Sequence, residues 1–99
     1  MILSIDFDRT IHDIDHPIKK MGPPIEGARE ALQGFHSEGH KIIIFSCRRD
    51  SKVIADWIEY FQIPYDDITN IKPHCDFYID DNAIRFINWK DTISIINKN

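Results

Sequence analysis

The sequence reads as one α/β domain in three layers, a mostly parallel sheet with helices on both faces. Three observations point there. The apolar run Ile2–Ile5 closes on two acids, Asp6 and Asp8. Ile42, Ile43 and Ile44 are apolar on both faces, as suits a central parallel strand. Between the apolar runs lie segments whose hydrophobic residues recur at helical spacing.

Residues 2–6 form the first strand. His12 to Gly22 is a polar loop with Pro17, Gly22, Pro23 and Pro24 as breakers. Ile25, Ala28, Leu32 and Phe35 then mark a helix, with Pro24 tolerated in its first turn and Gly39 stopping it. Lys41–Phe45 is the second strand. Asp50 or Ser51 caps a second helix with the stripe Ile54, Trp57, Ile58 and Phe61, and Pro64 marks its exit. Residues 65–71 read as a loop or a very short edge strand around Ile68–Ile71. Residues 76–79 form the third main strand, ending at Asp80–Asp81. A turn or short helix covers 82–89, and Thr92–Ile96 reads as a fourth main strand. The main strands are expected in spatial order 2-1-3-4, with 68–71 as an extra edge. Three residues between Lys72 and the strand at 76 are too few for a helical crossover. The first strand then lies where connections diverge, the crevice in which open α/β sheets bind ligands.

Ninety-nine residues make one domain, 1–99, with no internal repeat or linker. An apolar fraction of 42% fits an ordered globule. The net charge of −4 argues against broad binding to nucleic acid or anionic membrane, while leaving room for a local basic patch. No apolar run approaches the ~20 residues that span a bilayer. The start carries no signal pattern, so a cytoplasmic protein is expected. Cys47 and Cys75 lack disulfide or metal spacing and read as buried free thiols. Trp57 and Trp89 read as core or edge packing. The cluster His12-Asp13-Ile14-Asp15-His16 reads as a polar flap rather than a second metal site, with His12 near enough to Thr10 to touch a substrate. Asp66–Asp67 follows no apolar strand and reads as a solvated turn or cap.

The strand ends carry the chemistry. The first delivers Asp6, Asp8 and Thr10, the second Ser46, Cys47 and Arg48, and the third Asp80 and Asp81, with Lys72 shortly before. Two acids at the end of a buried strand are costly unless a cation or a proton compensates them. An oxygen-only acidic cluster suits a hard cation such as Mg2+, which pairs one or two carboxylates with substrate phosphate. Hydroxyl and lysine groups nearby suit phosphate oxygens.

These residues resemble the four motifs of the haloacid dehalogenase-like (HAD) hydrolase superfamily. The motifs read Ile5-Asp6-Phe7-Asp8-Arg9-Thr10, Ile43-Ile44-Phe45-Ser46, Lys72, and Phe77-Tyr78-Ile79-Asp80-Asp81, in the family's order across residues 1–81. The resemblance implies a Rossmann-type core and a phosphatase. Asp6 is implied as the nucleophile that forms an aspartyl-phosphate, and Asp8 as the acid–base, holding a proton near neutral pH. Mg2+ is implied on Asp6, the Asp8 backbone carbonyl, Asp80 and Asp81. Ser46 and Lys72 are implied as phosphate ligands, with Lys41, Lys52 or Arg48 as substitutes for the lysine. Arg48, read from the residue itself, is a further fork onto phosphate or substrate. Arg9 stands where the family has glycine, either fitting a tight turn or reaching into the site. The gaps between motifs leave no room for a cap domain. The site should therefore be open, unless the 12–22 loop or a second subunit covers it. A phosphorylated small molecule and the phosphorylated end of a larger one both fit. The alternatives are a receiver-like phosphate switch and a catalytically silent phosphate-binding module.

Overall fold

A computed structural model describes residues 1–16 and 21–99; Pro17, expected as a loop breaker, lies outside them. The elements run β1 (Ile2–Asp6), α1 (Ala28–Ser37), β2 (Lys41–Phe45), α2 (Ser51–Tyr60), β3 (Asp67–Thr69), β4 (Phe77–Ile79) and α3 (Trp89–Asn97). The four strands form one parallel sheet in the order β3-β2-β1-β4. β1 is therefore central, pairing Ile5 with Ile44 of β2 on one side and with Ile79 of β4 on the other.

The core lies on one face of this sheet. Leu3 and Ile5 of β1 share that face with Ile42 and Ile44 of β2, their register partners. Ala28 and Leu32 of α1 and Ile54, Trp57 and Ile58 of α2 pack against them. Each fully buried isoleucine contributes roughly 1.5–3 kcal/mol. Both helices fall on this face for a topological reason. The steps β1→β2 and β2→β3 go the same way across the sheet, and right-handed crossovers then put both connections on one side. The return from β3 to β4 crosses β2 and β1 through residues 70–76, which contain no helix. The expectation of helices on both faces is thus overturned: α1 and α2 share one face.

The fourth main strand is also overturned. Thr92–Ile96 lies inside α3, because Asn88 caps a helix there, its side chain accepting the Asp91 N–H at 2.8 Å. None of α3's residues is buried. The first helix starts later than expected: Gly27 at φ 85° is its N-cap, and Pro24 instead bridges to His12. α2 begins as read, Asp50 accepting from the N–H groups of Lys52 and Val53. The short edge strand exists as β3, at Asp67–Thr69 instead of Ile68–Ile71; Asp67 opens it, while Asp66 stands exposed in the turn just before. The Asp66 carboxylate accepts the Ile42 N–H at 2.8 Å, binding it to β2. Trp57 is core, whereas Trp89 is exposed. Cys47 is exposed and Cys75 half-buried, so neither is a buried thiol. Among the described residues no helix is long and apolar enough to cross a membrane.

Candidate metal and phosphate site

β1 and β4 run parallel and end side by side, so their C-terminal acids meet. Carboxylate oxygens of Asp6, Asp80 and Asp81 all lie within 4.8 Å of one another. The turn after β4 is fixed by the Asp80 carboxylate, which accepts the Asn82 N–H at 3.0 Å. The Asp6 carboxyl is pushed up to about 6, first by burial and then by the charges of Asp80, Asp81 and Asp8. Three acids at this separation favour either a proton or a cation among them. Their oxygen-only chemistry fits a hard divalent ion.

Asp6 and Asp80 also line an open groove of about 850 Å3 on the sheet face without helices. Ser4, Phe45 and Tyr78 form its floor, and Lys72, Pro73 and Ala83–Phe86 its walls. Lys72 stands there with its Nζ 4.7 Å from the centre of the Tyr78 ring. Tyr78 is itself tied to the Pro73 carbonyl through its hydroxyl. The structure thus brings Asp6, Lys72, Asp80 and Asp81 together from three separate segments.

Asp8 sits in a second, adjoining cluster. Arg48 grips its carboxylate with two hydrogen bonds, Nε to Oδ2 and Nη2 to Oδ1, both 2.9 Å. His12 Nδ1 lies 2.7 Å from Oδ1. The other ring nitrogen, Nε2, accepts the Gly22 N–H at 2.9 Å, which puts the imidazole proton on Nδ1, facing Asp8. Burial acts to raise the Asp8 carboxyl, but Arg48 and His12 outweigh it and hold it below its usual value. The expectation that Asp8 keeps a proton near neutral pH is therefore overturned: the acidic field acts on Asp6, while a cation and a histidine stabilise ionised Asp8. Arg48 is likewise engaged with Asp8 rather than open to phosphate.

The two hydroxyls and Arg9 stand outside the groove. Ser46 is buried at the end of β2, and its Oγ accepts the Arg48 N–H at 3.1 Å, setting the turn that aims Arg48. It does not line the groove. Thr10 Oγ1 is buried without a hydrogen-bond partner among the described residues, and Thr10 does not line the groove either. Arg9 adopts φ 67°, the left-handed region that suits glycine, and its exposed side chain pairs with the exposed Asp15 at 3.4 Å. Of its two expected roles, fitting the turn is the one observed.

His12 is the residue whose importance the sequence understated. It is buried, stacks on Phe7 at 5.1 Å and meets Trp57 edge-on at 5.3 Å. Its position four residues after Asp8, at the start of a Pro-rich flap, was the available signal.

No family model and no curated protein sequence matches the chain. Two solved structures resemble it along nearly its whole length. A conserved protein from Bacteroides thetaiotaomicron superposes with a TM-score of 0.69 at 22% identity, covering 99% of this chain and 90% of that one. A structure from Vibrio cholerae gives a TM-score of 0.58 at 26% identity, covering 98% and 97%. The similarity supports a small Rossmann-like α/β fold.

Proposed function

We propose that the chain is a Mg2+-dependent phosphohydrolase that cleaves a phosphomonoester through an aspartyl-phosphate on Asp6. The observation that carries this reading is the meeting of Asp6 with Asp80 and Asp81, their oxygens within 4.8 Å, at the mouth of a groove that Lys72 also lines. The HAD-like order of the motifs supplies the chemical roles. Asp6, Asp80, Asp81 and the Asp8 backbone carbonyl would hold the cation, whose charge offsets that of the phosphoryl group when bound.

An Asp6 oxygen attacks phosphorus while the ester P–O bond breaks and the leaving oxygen takes up a proton. Water then attacks phosphorus and gives a proton to Asp8. The Asp6–phosphorus bond breaks, freeing phosphate and restoring Asp6. Asp8 is ionised as Arg48 and His12 hold it, which suits activation of that water. For the first step Asp8 comes away from Arg48 and takes a proton from solvent, which it passes to the leaving oxygen; the proton it then accepts from the attacking water in the second step restores it. A phosphate dianion offers the same guanidinium a competing bidentate partner. Lys72 is the groove's cation for the phosphoryl oxygens. The open groove suits a phosphorylated small molecule or the phosphorylated end of a larger one.

The test is a phosphatase screen with Mg2+, with and without EDTA, on wild type and Asp6→Asn. Wild type should hydrolyse at least one class of phosphomonoester, EDTA should stop it, and Asp6→Asn should lose at least about 10³-fold in kcat/KM. Stable phosphorylation without turnover would mark a receiver-like switch instead. No Mg2+ binding and no turnover on any phosphate would overturn the catalytic reading.

A further inference from the structure

The apolar surface of this molecule is unevenly distributed. Among the described residues, nine of the fourteen exposed large hydrophobic side chains fall between Phe77 and Ile96. Trp89, Ile93 and Ile96 stand at i, i+4 and i+7 on one stripe of α3 and are 70%, 55% and 57% exposed. Lys90, Asp91, Ser94 and Asn97 stand off this stripe together with Ile95, so α3 is largely amphipathic, and none of its residues is buried. The same chain carries a complementary surface. The helix-free face of the sheet is a groove floored by Phe45 and Tyr78 and walled by Ile84 and Phe86.

We propose that the apolar part of this groove, formed by Phe45, Tyr78, Ile84 and Phe86, seats α3 of a second copy of the chain, in a two-fold symmetric dimer that leaves the Asp6 and Asp80 end free for ligand. Both halves of the contact are present on one polypeptide, which is what an isologous interface requires. The area is sufficient. At ~150–250 Å2 for a fully exposed large side chain, the nine residues offer at most roughly 900 Å2 per protomer, or about 1,800 Å2 for the pair, so covering two thirds of it still clears the ~1,000 Å2 that a specific interface needs. The helix's own groove is the less suitable seat. Phe86 walls that groove and contacts Trp89 edge-on at 5.3 Å, so only Ile87 and Asn88 tether the helix to the wall. The chain is correspondingly extended: its radius of gyration is 14.8 Å, against about 13 Å for a compact domain of this length. Two copies exchanging helices restore compactness. Each partner's helix then lies beside the Asp6 and Asp80 end of the groove without covering it. This dimer stands on its own, whatever reaction the site performs.

The experiment is light scattering after size exclusion at about 50 µM, on wild type and the double variant Ile93→Asp, Ile96→Asp. Wild type should elute with twice the 11.6 kDa chain mass, and the variant with the chain mass itself and an unchanged circular dichroism spectrum. None of α3's residues is buried in the protomer, and Ile93 and Ile96 are more than half exposed, which is why the fold should survive the substitutions. A monomeric wild type overturns the proposal, as does a variant that remains dimeric. A variant that unfolds also overturns it, because α3 would then be packed within its own chain.

Discussion

Gly22 supplies two backbone bonds that hold the flap to the core. Its N–H binds His12 Nε2 at 2.9 Å and its carbonyl receives the Trp57 indole N–H at 2.8 Å. A chain of contacts therefore runs from α2 through Trp57, Gly22 and His12 to the Asp8 carboxylate. Only glycine fits: a Cβ there would lie 2.3 Å from the Asp13 backbone oxygen. Gly22→Ala should therefore destabilise the fold by about 1–3 kcal/mol, read from urea melts. A smaller loss than that would mean the flap gives way easily and the chain of contacts is loose. The sequence showed Gly22 only as a breaker, since nothing local reveals which backbone atoms will approach it from nine residues away. Asp6, Asp80 and Asp81 were legible, because a carboxylate directly after an apolar strand calls for a cation or a proton to offset its charge. Asp8 was misjudged because its charge state depends on Arg48, forty residues distant, and on a histidine tautomer fixed by Gly22.

At the scale of elements, the clear cases were those where pattern and capping agreed. α2 combines an apolar stripe with Asp50, whose Oδ1 accepts the Lys52 N–H at 3.0 Å and the Val53 N–H at 3.4 Å. Asp50→Ala should cost roughly 1 kcal/mol in thermal or urea melts, whereas Asp50→Asn or Asp50→Ser should cost only a few tenths. An alanine variant as stable as wild type would mean that packing alone defines the start of α2. β1 and β2 were legible because the three middle residues of each are buried and all but Ser4 are apolar. α3 was not. Thr92-Ile93-Ser94-Ile95-Ile96 is rich in β-branched residues and alternates at its start, which mimics a strand. What decides it is Asn88 three residues before Asp91, a capping signal weaker in sequence than the alternation it overrides. The shared side of α1 and α2 was likewise out of reach without the position of β3. A three-residue strand at the far edge turns two crossovers in one direction.

For the whole molecule, the acidic cluster at the strand ends works against the fold. The Asp6 carboxyl stands at about 6 in the folded protein against an ordinary 3.8, so its ionised form is the one folding disfavours. That penalty is complete above about pH 6 and fades as pH falls from there towards 3.8. In EDTA, Asp6→Asn should therefore be more stable than wild type at pH 8, with the gap closing towards pH 5. Urea melts of both proteins across that range measure it. An equal gap at every pH, or a variant less stable at pH 8, would contradict the origin assigned to the shift. Asp8 titrates in the opposite sense: Arg48 and His12 lower it, so its contribution is present above the ordinary carboxylate range and lost below it.

The parallel order β3-β2-β1-β4 also has a meaning in time. The central strand is made first, and its two neighbours are made at very different moments. A chain growing from its N-terminus can pair β1 with β2 and cover them with α1 once residue 45 is available, before β4 has been synthesised. During that interval Asp6 has no acidic neighbours from the far end of the chain. The charges of Asp80 and Asp81 thus reach Asp6 only with the last pairing, when a core is already in place to withstand them.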